Sequence, residues 1–154
     1  MRTFHRRTIG VLVALVMLDA GCSDPASVPA RLSALYVLRS INGHSLPATA
    51  SQGGGQQYIV LADSLAFEPD GQVRRSYAVR WISSDPRFVD TVYTQIARYW
   101  YAIDDRKLTI GYTAPCPPNA NCIRSEEGTI DAAGVRLNAR LLWSGEPEFV
   151  FIRR

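Results

Sequence analysis

The sequence predicts an all-β protein: an antiparallel up-and-down β-barrel of about eight strands behind a cleaved signal peptide. Three observations predict it. Beyond residue 34, apolar and polar residues alternate with period two in long runs. The runs are separated by tight-turn signals such as Asn42-Gly43 and Asp70-Gly71. No amphipathic helical pattern follows the apolar start.

That start has the three parts of an export signal. Arg2, Arg6 and Arg7 form a positive region, Ile9 to Leu18 an apolar run, and Ala20 and Gly21 a small-residue site directly before Cys22. Through Leu18, Ala20, Gly21 and Cys22 the stretch resembles the lipobox of bacterial lipoproteins. The resemblance implies a diacylglyceryl group on the Cys22 thiol and cleavage just before that residue. Asp19 departs from the pattern, which has an aliphatic residue at that place. The apolar run is shorter than the roughly 20 residues that span a bilayer as a helix, so an ordinary secretory signal is the alternative. The expected division is a signal peptide at 1–21, a flexible tether at 22–33 carrying Pro25 and Pro29, and a barrel domain at 34–154. Ser23 stands where an aspartate would retain such a lipoprotein in the inner membrane. The expected location is therefore the cell envelope, lipid-anchored at the outer membrane and facing the periplasm.

Charge and cysteine usage narrow the function classes. Without Arg2, Arg6 and Arg7, 14 of the 17 basic residues remain, and without Asp19, 13 of the 14 acidic ones. A near-neutral domain is not built to neutralise several phosphates, so no nucleic-acid partner is expected. Cys116 and Cys122 lie in the turn-rich APCPPNANC with no histidine near them to complete a zinc site. A disulfide is expected in an oxidising compartment, constraining the unfolded chain by roughly 2 kcal/mol. Two free thiols are the alternative.

Taken in order, Leu35, Val37, Arg39 and Ile41 alternate against Tyr36, Leu38 and Ser40, a strand running into Asn42-Gly43. ATASQGGG has no periodicity and reads as a flexible loop. Ile59, Leu61, Leu65 and Phe67 share one face of an extended run, and Pro69-Asp70-Gly71 reverses the chain. Val73, Tyr77, Val79 and Trp81 then recur on one face of the return strand. At about ten residues or more, both strands suit a strongly tilted barrel. Asp85-Pro86 marks a turn. Thr91 to Ile103 is a further long strand with Tyr99, Tyr101 and Ile103 inward, and Leu108, Ile110 and Tyr112 form a shorter one. Arg124 to Asp131, Val135 to Trp143 and Glu148 to Ile152 complete the set. A sandwich is the competing architecture, since period two alone does not separate the two.

No motif for catalysis, metal or cofactor binding is present. His44 reads as a solvated loop residue, Gly53-Gly54-Gly55 lacks the residues of a phosphate cradle, and Asp104-Asp105 and Glu126-Glu127 read as surface charge. No enzyme activity, metal or cofactor is expected. Asp63 shares the parity of Leu61 and Leu65, and Arg75 has inward parity on the next strand, so the two are candidates for a buried ion pair. The alternative is a bulge that turns Asp63 outward. Tyr77, Trp81, Tyr99 and Tyr101 are candidates for core or for the lining of a ligand site.

LYVLRSINGHSLP, LADSLAFEPDGQVRRSY, YWYAIDDRKLTI, GTIDAAGVRLNARL and the closing FVFIRR resemble the small lipocalin-like domains of bacterial lipoproteins. The resemblance spans nearly the whole domain. It implies a calycin-like barrel and brings no catalytic residues. YVLRSINGHSLP is also similar to the opening of META-type envelope lipoproteins, whose Gly-Cys-Asn segment is replaced here by APCPPNANC. Two functions are thus expected. The first is a lipid-anchored, non-catalytic module holding a small apolar or amphipathic ligand, with Tyr77, Trp81, Tyr99, Tyr101, Asp63 and Arg75 as candidate site residues. The second is an envelope structural or interaction protein with a filled barrel and an unknown protein partner.

Overall fold

A computed structural model describes residues 32–88, 90–112 and 125–154. Cys22, Cys116 and Cys122, with the signal and most of the expected tether, lie outside the described residues. The chain forms β1 (Ala34–Ile41), β2 (His44–Ser45), β3 (Ala48–Gly53), β4 (Gln56–Phe67), β5 (Gln72–Ser83), β6 (Thr91–Asp104), β7 (Lys107–Gly111), β8 (Ser125–Ile130), β9 (Val135–Asn138) and β10 (Glu148–Arg153). No helix occurs among the described residues.

From β4 to β10 each strand pairs antiparallel with the next, and β1 pairs with both β10 and β4. Eight strands therefore close an up-and-down barrel, and the sandwich is excluded. The twelve-residue β4 and β5 and the fourteen-residue β6 form its tallest wall. β2 and β3 lie in the connection from β1 to β4. Asn42 and Gly43, with φ of 49° and 80°, make the two-residue turn that pairs Ile41 with His44. ATASQGGG is not a loop: Ala48 to Gly53 pair along β4, because Ala48 and Ala50 bury their methyls while Thr49 stays exposed. Gly128 is required where β8 meets β9, since a Cβ there would stand 2.0 Å from the Arg136 carbonyl oxygen.

Two bulges set which side chains face inward. One falls between Leu38 and Ser40, so Tyr36, Leu38 and Ile41 are buried while Leu35 is exposed. The other falls between Val60 and Ala62. It turns Ile59 and Leu61 off the inward face and puts Val60, Asp63, Leu65 and Phe67 on it. The expected strand at Val135 to Trp143 ends at Asn138, and residues 139–147 cross the barrel mouth instead.

The opposite end is closed. Tyr36, Phe67 and Tyr101 pack edge to face, with ring centroids 5.5 and 4.9 Å apart. The Tyr101 hydroxyl accepts the Leu32 N–H at 2.8 Å and donates to the Glu68 carbonyl at 3.0 Å. Leu32 is already buried, so the chain is engaged before the expected start at Ala34.

Candidate functional site

Halfway along the interior, Arg75 extends from β5 into the barrel axis and is 1% exposed. Its Nε and Nη2 donate to Asp63 Oδ2 at 2.9 and 2.7 Å, and its Nη1 donates to Glu126 Oε1 at 2.8 Å. Asp63 faces inward; the bulge that was to turn it outward lies just before it and acts on Leu61 instead. Glu126 is a correction to the surface reading. Successive residues of β8 face opposite sides, so Glu126 shares the inward parity of Ile130 while Glu127 stays exposed and meets Lys107. The guanidinium also sits 5.4 Å from the Phe149 ring centroid and 6.0 Å from that of Phe151.

Glu126 has a second task. Its Oε2 accepts the Leu141 N–H at 3.2 Å and so fixes the segment that crosses the mouth. That segment inserts Trp143, which stacks on Phe149 at 22° and approaches Tyr58 and Tyr77 at 6.1 Å each. Above Trp143 remains a recess of about 340 Å³ lined by Ser51, Tyr58, Tyr77, Tyr93, Leu142, Trp143 and Ser144. Ser51 Oγ and Ser144 Oγ are 2.5 Å apart across its rim. The Tyr77 hydroxyl donates to Gln95 Oε1, directly opposite in the β5–β6 register, and the Tyr58 hydroxyl to Gln56 Oε1 at 3.2 Å. Burial is the leading influence on the Tyr77 and Tyr93 phenols and raises both above the ordinary tyrosine range, so both are neutral at physiological pH.

The candidate residues do not form one cluster. Tyr77 lines the recess, while Asp63 and Arg75 lie deeper and pair with each other through Asp63 Oδ2. Tyr99 is buried beside Tyr112, with ring centroids 5.1 Å apart. Tyr101 closes the far end, and Trp81 packs edge-on against Phe88 at 5.6 Å. Sequence reasoning missed Ser51, Tyr58, Tyr93, Leu142, Trp143 and Ser144. Tyr58 and Tyr93 carried a signal, since each pairs with a neighbour of known parity, Trp81 and Val79. Among the described residues no group of three or more His, Cys, Asp or Glu could hold a metal ion.

The ion cluster has a pH consequence. Burial, the largest influence on Asp63 and Glu126, raises both carboxyls above their ordinary range against the opposing pull of Arg75. Asp63 Oδ1 is buried with no hydrogen-bond partner among the described residues, so a proton there sacrifices no bond to Arg75. A raised folded pKa means that the folded chain keeps a proton which the unfolded chain releases near about pH 4. The stability due to it is full below that point and is lost as pH rises through the folded value. Urea midpoints should therefore fall as pH is raised from about 4 toward neutrality, and Asp63→Asn should flatten that slope. A wild-type slope that Asp63→Asn leaves unchanged would assign the titration to other groups.

No protein family matches the chain, and neither a curated protein nor a solved structure matches it.

Proposed function

We propose that this is a lipocalin-like, lipid-anchored envelope protein, non-catalytic, that holds a small apolar or amphipathic molecule at the open end of its barrel. The observation that supports ligand binding is the recess of about 340 Å³ ringed by aromatic side chains. Its size lies within the roughly 300–1,000 Å³ of small-molecule sites. The anchor is Cys22, with the outer membrane facing the periplasm as location and a Cys116–Cys122 disulfide in the connection between β7 and β8.

A second reading, a structural or interaction protein of META type or another envelope class, is favoured by the packed interior. Arg75, Phe149 and Phe151 are buried across the axis and leave the recess only the mouth. Native mass spectrometry of gently extracted mature protein separates the readings. Ligand binding predicts a retained small molecule that leaves on activation, and the anchor predicts an acylated N-terminal cysteine. A chain that carries acyl groups and never any small molecule supports the second reading, and an unmodified N-terminus overturns the anchor.

A further inference from the structure

We propose that the recess takes a neutral, hydroxyl-rich ring with one apolar face, a mono- or disaccharide unit, in preference to an acyl chain or an anion. This rests on the ligand-binding reading above and specifies its chemistry.

Charge comes first. Among the described residues the lining is made of serines, tyrosines, Trp143 and Leu142 and holds no acidic or basic side chain. The buried charges below are committed to one another in the Asp63–Arg75–Glu126 cluster. An ionic ligand would lose hydration and gain no counterion. Depth excludes the acyl chain. Below Trp143 the axis is occupied by Phe149, Phe151 and the Arg75 guanidinium, so among the described residues no apolar slot continues downward to receive a chain of methylenes.

The lining asks for a partner that both donates and accepts. The Tyr58 and Tyr77 protons are used on Gln56 and Gln95, which leaves the two phenolic oxygens as acceptors and requires donors from the ligand. In the Ser51–Ser144 pair one hydroxyl proton bridges the two oxygens, and the other is free to donate. Trp143, 5% exposed and part of the lining, has an Nε1–H that is buried without a partner among the described residues. That nitrogen has no exposed surface, so a ligand oxygen gains it only where the indole turns toward the recess. Of the Tyr58 and Trp143 rings, tilted 59° to each other, Tyr58 is the more exposed and is the apolar wall for the C–H face of a ring, Trp143 being largely buried beneath it. A sugar ring combines all three properties: no charge, one apolar face, and hydroxyls that donate and accept.

The test is saturation-transfer NMR on the full mature protein in lipid nanodiscs, with empty discs as the blank. The probes are cellobiose, maltose and chitobiose, with octanoate and glucuronate for comparison. Saturation of at least one neutral disaccharide is expected, weakened about three- to tenfold by Tyr77→Phe and by Ser144→Ala, each of which alters one polar contact. Glucuronate should stay silent. Thermal melts of both variants show that they are folded, and Ser144→Ala at the rim serves if Tyr77→Phe is not. Saturation of octanoate or glucuronate with all three disaccharides silent overturns the saccharide assignment and leaves a ligand site at the mouth. Disaccharide saturation that both variants leave unchanged places the sugar elsewhere and overturns the assignment too. Silence of every probe on folded protein overturns it together with the ligand-binding reading.

Discussion

Arg75→Met is expected to lower folding stability by about 3–5 kcal/mol at neutral pH, read as a shift of the urea midpoint. The side chain is fully enclosed and makes three charge-assisted hydrogen bonds to two carboxylates, each at 2.9 Å or less. Removing it leaves Asp63 and Glu126 buried without a counterion. Both must then take up protons to stay inside, so the loss should grow as pH rises. The size of the effect measures the cost of the orphaned acids and not the net worth of the cluster. The variant Asp63→Leu/Arg75→Met/Glu126→Gln should therefore recover most of the loss, because apolar groups of similar volume often replace a buried ion cluster at little cost. Gln at 126 retains an acceptor for the Leu141 N–H. A single Arg75→Met variant within about 1 kcal/mol of the parent would show that water or rearrangement compensates the acids.

The same cluster shows how much of this protein can be read from its sequence. Period two on β5 placed Val73, Arg75, Tyr77 and Val79 on one face, and they are buried. The hairpin at Asp70-Gly71 and the long tilted strands were equally legible, because turn chemistry and alternation are local properties. A bulge is not. One inserted residue reverses parity on one side of it, so Ile59 and Leu61, the apparent inward pair, yield their places to Tyr58 and Val60 with no compositional sign. Glu126 was hidden for another reason. In SEEGTI only Ile130 marks the inward face, and two adjacent acids look alike until the strand separates them. The recess was least legible of all. Leu141, Leu142 and Trp143 are three consecutive apolar residues, which a strand would spread over both faces; the chain leaves the ladder after Asn138 and turns Trp143 into the mouth. Among the contacts that hold it there is the Leu141 N–H on Glu126, between residues fifteen positions apart.

Phe149→Ala is expected to cost about 3–5 kcal/mol and to disturb the recess as well. Phe149 is fully buried on β10, opposite Ile41 on β1 and Leu137 on β9. Its ring meets both the Trp143 indole and the Arg75 guanidinium, so truncation removes a support of the mouth and part of the cation's enclosure together. Phe151 is the control. It is as deeply buried and lies 6.0 Å from the same guanidinium, and the indole stacks on Phe149. Phe151→Ala should thus lose comparable stability, with Trp143 still supported. The two variants are compared by urea midpoint and by fluorescence quenching with acrylamide. Both midpoints should fall, and quenching should rise more in Phe149→Ala, because an indole without its stacking partner tips toward solvent. Equal quenching in the two variants would mean that the mouth segment, tied through Leu141 to Glu126 and through Ser144 to Ser51, holds Trp143 without the ring beneath it.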